Sequence, residues 1–170
     1  MDKIRWGIIG PGSIAHNFAD ALKQSYSGEL ISIASRTSNK LEEFGNKYQI
    51  KNEFRFNDYD ALLENENIDA VYIATPHVFH ADLTIRAAGK GKHILCEKPG
   101  AVNFAEASRV IEKIKEAGVF YKEGFMYRCH PQIPALINII KQNTIGNIKH
   151  ITSSFGFDMQ KVISDHRLFD

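Results

Sequence analysis

A short apolar strand that runs straight into a glycine turn constrains this chain more than any other feature. Ile4-Arg5-Trp6-Gly7-Ile8-Ile9 is followed at once by Gly10-Pro11-Gly12-Ser13-Ile14-Ala15, and then by a helical pattern. The G-x-G-x-x-A spacing divides the work among three small residues. Gly10 permits the tight strand-to-helix turn, Gly12 lets the backbone approach a pyrophosphate, and Ala15 allows close packing of helix on strand. The phosphates would face free backbone N–H groups at the helix start, those of Ser13 and Ile14. Ala15, Phe18, Ala19 and Leu22 recur on one helical face. The competing reading, a plain glycine turn, is disfavoured by the strand before it and the periodic helix after it.

Apolar runs then alternate with amphipathic stretches from residue 4 to about residue 123, the mark of repeated βα units and a mainly parallel sheet. Leu30-Ile31-Ser32-Ile33-Ala34 reads as a second strand, Ser38 as the cap of a helix carrying Leu41, Phe44 and Tyr48, and Phe54 to Phe56 as a weaker third strand. A short helix at Asp58 to Glu64 follows. Ala70-Val71-Tyr72-Ile73-Ala74 is a buried strand, His77 to Lys90 a helix stopped by Gly89 and Gly91, and His93-Ile94-Leu95-Cys96 another strand. Asn103 with Glu106 resembles a capping box, Ala107, Val110, Ile111 and Ile114 form the stripe behind it, and Gly118 stops that helix. Val119-Phe120-Tyr121 is the sixth strand. The fold class is α/β, a Rossmann-type doubly wound parallel sheet over residues 1–124.

After Arg128 the texture changes. Pro131 and Pro134 open a helix-like stretch to about Gln142, Gly146-Asn147 makes a turn, and Ile148 to Phe157 reads as a longer strand. Residues 125–170 therefore read as the incomplete start of a second α/β domain, with too few elements to bury its own strand faces. The expectation is a fragment, or half of a core completed by another chain, whose last strand leaves an unpaired edge.

In an open α/β sheet, ligands bind beyond the carboxyl ends of the strands. Three exits carry unusual groups: Thr75-Pro76-His77 with His80 one turn on, Glu97-Lys98-Pro99, and Glu123-Gly124-Phe125-Met126-Tyr127-Arg128. At the second strand's exit, an acid about 20 residues past the glycines would grip the ribose 2′-hydroxyl of NAD. No acid stands there; Ala34-Ser35-Arg36-Thr37, with Lys40 nearby, offers a guanidinium and two hydroxyls suited to the 2′-phosphate of NADP. NADP is the expected cofactor and NAD the alternative, because Arg36 could instead cover the adenine or the surface. Lys98, at a strand end beside the nicotinamide position, is the leading catalytic residue, able to polarise a hydroxyl or carbonyl. A cis Lys98–Pro99 bond would be one way to aim its ammonium into the cleft. Glu97 is read first as an ion-pair or hydrogen-bond partner.

With the glycine turn, Thr75-Pro76 followed by His80, and Glu97-Lys98-Pro99 all in order, the chain resembles the Gfo/Idh/MocA oxidoreductase family. The run Glu123-Gly-Phe-Met-Tyr-Arg-Cys-His-Pro looks most like the NADP-dependent D-xylose 1-dehydrogenase and trans-dihydrodiol dehydrogenase branch. The resemblance implies that Lys98 is the family's cleft lysine, that Thr75, Pro76 and His80 form the wall near the nicotinamide, and that Glu97 and Pro99 flank the lysine. It implies an approach of Tyr127 and Arg128 to cofactor or substrate. It also implies a sugar-like, polyol-like or cyclic secondary alcohol as substrate, and a homo-oligomeric full-length parent. The family's later Asp-x-x-x-His stretch has no match here; His166 lacks that context and is read as a surface or linker histidine.

Composition excludes several other classes. The 170 residues are 44% hydrophobic and 24% charged, and 21 Lys plus Arg balance 20 Asp plus Glu, leaving no broad footprint for nucleic acid or an anionic membrane. No apolar run approaches membrane-spanning length, and a strand begins almost at once after Met1, so the expected home is the cytoplasm. Cys96 and Cys129 lie far apart without metal-like spacing, which fits a reducing compartment. His77, His80 and His93 lack a third ligand at matching spacing, so no metal is expected. Two functional classes remain: an NADP-dependent oxidoreductase, and a non-catalytic dinucleotide-binding module or inactive fragment of such an enzyme.

Overall fold

The computed structural model describes residues 2–156. Strands β1 (Ile4–Ile9), β2 (Gly28–Ala34), β3 (Arg55–Phe56), β4 (Ala70–Ile73), β5 (His93–Cys96) and β6 (Tyr121–Glu123) form one sheet of order β3-β2-β1-β4-β5-β6. Every pairing is parallel. The helices between them are α1 (Ser13–Leu22), α2 (Ser38–Lys47), α3 (Tyr59–Glu64), α4 (His80–Gly89) and α5 (Phe104–Ala117). The winding direction reverses between β1 and β4, so their carboxyl ends border the crevice in which this architecture places a dinucleotide.

Strand residues alternate between two cores because successive side chains leave opposite faces of a pleated strand. Ile8, Ile33 and Tyr72 join Ala15 and Ala19 of α1 and Leu41 and Phe44 of α2 on one face. Ile9, Ala34, Val71 and Ile73 join Leu62 and Leu63 of α3 and Leu83, Ala87 and Ala88 of α4 on the other. Burial on both faces is what makes these strands read as continuous apolar runs. At α5, Asn103 Oδ1 accepts from the Glu106 N–H at 2.9 Å, the forward bond of the expected capping box, while Glu106 Oε2 accepts from the Val102 N–H at 3.3 Å, one residue before the cap.

Three expectations shift. The sixth strand, read from apolarity as Val119 to Tyr121, pairs as Tyr121–Glu123, opposite Ile94 to Cys96. Phe120 is 64% exposed, and its carbonyl accepts from the Ile94 N–H at 2.8 Å as the strand begins. Apolarity marks the approach to this outer strand, whereas pairing register sets its extent. Ser38 does not cap α2: Thr37 takes the cap position, and the Ser38 hydroxyl donates to Asn57 Oδ1 at 3.3 Å. The chain after Pro76 winds first as a 3-10 turn, His77–Phe79, before α4.

Compactness divides the chain into Met1–Met126 and a unit starting at Tyr127. In the second unit α6 (Gln132–Lys141) is an apolar helix carrying Ile133, Leu136, Ile137, Ile139 and Ile140. The longer strand expected at Ile148 to Phe157 is not formed over 148–156, and Phe157 and His166 lie outside the described residues. An alternating sequence becomes a strand only where a neighbour accepts and donates its backbone bonds, and the described residues supply none there.

Candidate functional site

The glycine turn is built for close approach. Gly10 has φ +93°, and a Cβ there would stand 3.0 Å from the Ala74 carbonyl oxygen and 3.1 Å from Thr75 Cγ2, so the turn presses against the β4 exit. Gly12 caps α1 without a side-chain hydrogen bond, and a Cβ added to it would meet only the Ala74 carbonyl oxygen, at 3.9 Å. Nothing among the described residues crowds Gly12, so its smallness serves access from outside the fold. The first turn of α1 holds no acid, and the first N–H groups of a helix, here Ser13 and Ile14, have no intrahelical acceptor. That end therefore carries the partial positive charge of a helix start toward the crevice.

The β4 exit links this turn to the lysine. Thr75 is nearly buried, and its Oγ1 has no hydrogen-bond partner among the described residues. His80 has no exposed surface; Nε2 lies 2.7 Å from the Thr75 carbonyl oxygen and Nδ1 lies 2.8 Å from that of Pro99. His80 is thus buried behind this exit, whereas Pro76 is exposed and Thr75 is nearly buried. His80 ties the β4 exit to the β5 exit. Its ring is 5.9 Å from His77, but both nitrogens already face carbonyls, leaving no nitrogen for a metal.

The β5 exit is held from both sides. Tyr72 donates its hydroxyl to Glu97 Oε1 at 2.6 Å, which places Glu97 as a hydrogen-bond acceptor. Burial, and then that bond to Glu97, push the Tyr72 hydroxyl above its ordinary range. Glu123, the last residue of β6, accepts from the Gly100 N–H at 2.7 Å, and the Gly124 N–H donates to the Cys96 carbonyl at 2.7 Å. The Lys98–Pro99 bond is cis. Between these anchors Lys98 is exposed, with no ion pair or hydrogen bond to its ammonium among the described residues.

At the β2 exit, Ser35 is 4% exposed; its hydroxyl donates to the Thr37 carbonyl at 3.2 Å and accepts from the Thr37 N–H at 3.1 Å. Its only proton is thus engaged inside this turn. Thr37 caps α2 with no side-chain cap bond, and the first turn of α2 holds no acid. Arg36 is exposed and lies over two rings, Phe79 at 4.7 Å and Tyr59 at 5.8 Å. Sequence reasoning misses both rings, because their meeting with residue 36 is tertiary. Tyr127 and Arg128 lie exposed in a 3-10 turn, Met126–Cys129. Among the described residues, no group of three or more His, Cys, Asp or Glu could hold a metal, and no helix is long and apolar enough to cross a membrane.

The chain is 35% identical over 161 residues to the trans-1,2-dihydrobenzene-1,2-diol dehydrogenase of Mus musculus, covering 94% of this chain and 48% of that protein. Among solved structures, a 3-ketoreductase from Actinomadura kijaniata in complex with NADP superposes with a TM-score of 0.77 at 34% identity, covering 86% of this chain and 46% of that one. The WlbA dehydrogenase from Bordetella pertussis, in complex with NADH and UDP-GlcNAcA, gives 0.79 at 28% identity, covering 86% and 44%. The chain spans about half the length of the curated relatives it matches. Residues 4–125 match the oxidoreductase family described as having an NAD-binding Rossmann fold. The glycine turn at the β1/β4 crevice, the lysine at the β5 exit and this match together place the chain in the Gfo/Idh/MocA oxidoreductase family.

Proposed function

We propose that this chain is the dinucleotide-binding half of an oxidoreductase that prefers NADP and acts on a sugar-like or cyclic secondary alcohol, or on the matching carbonyl. The observation that carries the reading is one rim holding three features: the Gly10–Gly12 turn with its uncrowded Gly12, an Arg36 with no carboxylate ion pair among the described residues, and the exposed, unengaged Lys98. Relatives with NADP, with nucleotide-sugar ligands and with diol-dehydrogenase names support both the cofactor and the substrate class.

The residues present fit the cofactor. Gly10, Gly12, Ser13 and Ile14 would hold the pyrophosphate by backbone, Arg36 and Thr37 the ribose 2′-phosphate, and Thr75, whose buried Oγ1 lacks a partner among the described residues, the region beyond, with Pro76 and Glu97. The nicotinamide, when bound, accepts or supplies hydride. Lys98 Nζ then donates a hydrogen bond to the substrate oxygen and stabilises negative charge developing on it, and in the reducing direction it can deliver the proton that oxygen needs. Glu97 and Glu123 do no chemistry; they hold the two sides of the lysine loop.

Residues from about 125 onward are assigned to the start of a substrate-facing domain, with Tyr127 and Arg128 as its first candidates for substrate contact. A homo-oligomeric full-length protein and a cytoplasmic location belong to the same reading, the latter suited to cysteines that form no disulfide. The test is Lys98→Ala in the full-length protein, assayed on polyols, aldoses and dihydrodiols. Turnover should fall about 100-fold to 10,000-fold with cofactor affinity retained. Cofactor binding without turnover of any such alcohol by the unaltered protein would favour a non-catalytic module instead.

A further inference from the structure

The Arg36 guanidinium lies over two aromatic rings, and those rings come from separate segments. Tyr59 opens α3, and Phe79 closes the 3-10 turn after β4. Both are partly buried and packed against the same hydrophobic core, so the platform under the guanidinium is anchored from below. Phe79 is the nearer ring, at 4.7 Å against 5.8 Å for Tyr59.

Stacking and ion pairing leave an arginine in different states. A carboxylate partner consumes the in-plane N–H donors, whereas an aromatic face occupies the flat side and leaves the fork of donors at the edge available. Arg36 lies over Phe79 and has no carboxylate ion pair among the described residues, beside Thr37, whose hydroxyl makes no cap bond, and an α2 start that holds no acid. A long, freely rotating side chain would lose rotamer freedom on gripping an anion; one already laid on a ring has lost much of it beforehand.

We propose that Phe79 is a positioning residue for cofactor selectivity: it holds the Arg36 guanidinium in the orientation that recognises a ribose 2′-phosphate, so it sets the preference for NADP over NAD. The inference rests on the NADP reading above. Phe79 contributes to that preference without touching the phosphate, acting through Arg36, with Tyr59 as a second, more distant support.

The experiment is a fluorescence titration of the full-length protein with NADPH and with NADH, for the unaltered protein, Phe79→Leu, Phe79→Tyr, Arg36→Ala and the Arg36→Ala/Phe79→Leu double variant. Phe79→Leu keeps apolar bulk on the core but removes the π face; it should weaken NADPH roughly 2-fold to 10-fold and leave NADH affinity in place. Phe79→Tyr, which keeps the face, should retain the NADPH to NADH ratio. In the Arg36→Ala background Phe79→Leu should have no further effect on that ratio. Equal weakening of both cofactors, an unchanged ratio in Phe79→Leu, or the same loss with Arg36 already removed would overturn the inference. Should Arg36→Ala itself leave the ratio unchanged, the NADP reading fails and this inference with it. A ratio that responds to Arg36→Ala but not to Phe79→Leu sinks only the role of Phe79.

Discussion

Tyr72 donates its hydroxyl to Glu97 at 2.6 Å, joining the middle of β4 to the residue immediately before Lys98. The same Tyr72 ring stacks on Phe18 of α1 at 4.2 Å, and Phe18 meets Trp6 of β1 edge-on at 5.2 Å. The helix that follows the glycine turn and the loop that carries the lysine are thus packed through one side chain. Tyr72→Phe keeps the ring contacts and removes only the donor, leaving a partly buried carboxylate oxygen short of a hydrogen bond. It should cost about 1–3 kcal/mol of stability, measured by urea denaturation. An unchanged midpoint would show that Glu97 is not held through Tyr72.

Gly10→Ala tests the turn. The position has φ +93°, and the added methyl would stand 3.0 Å from the Ala74 carbonyl oxygen, a backbone atom that cannot swing away. The cost should be about 1–3 kcal/mol, with loss of NADPH binding in the protein that remains folded. Gly12→Ala, where the nearest atom is 3.9 Å off, should leave stability nearly intact while weakening the cofactor. Equal effects of the two changes on stability would contradict the division of roles between them.

The two cysteines should behave differently toward thiol reagents. Cys96 is fully buried at the end of β5, and burial pushes its thiol up to about 12, whereas Cys129 is exposed. At mildly alkaline pH one thiol should label quickly and the second only after denaturant is added. The raised value also has a stability consequence. Because the folded value lies above the unfolded one, the contribution is fully present below 9.0 and is lost as pH rises from there toward about 12. Cys96→Ala should flatten the alkaline fall in stability over that window, read from unfolding midpoints across pH.

Features that depend on neighbours in the chain are legible in the sequence, and features that depend on neighbours in space are not. The Gly10 turn, the strands β4 and β5 and the Asn103–Glu106 cap each declare themselves within a few residues, because a positive φ, double-sided burial and a missing helical acceptor are local demands. The β6 strand sits two residues later than its apolar run because its extent follows the β5 register, and residues 148–156 form no strand because alternation alone supplies no partner. His80 follows Thr75-Pro76 at the right distance for a cleft wall; only the fold shows that its ring reaches inward to the Pro99 carbonyl. Ser35 has the chemistry of a phosphate ligand, but its own turn uses its proton. The convergence of Arg36, Tyr59 and Phe79 spans three βα units and leaves no mark in any one of them.

The most direct test of the central claim is the affinity for NADPH against NADH, with and without Arg36→Ala. NADPH is predicted to bind more tightly, and Arg36→Ala to abolish the difference while NADH binding persists. Failure to bind either cofactor, or an NADPH affinity indifferent to Arg36, would contradict that claim.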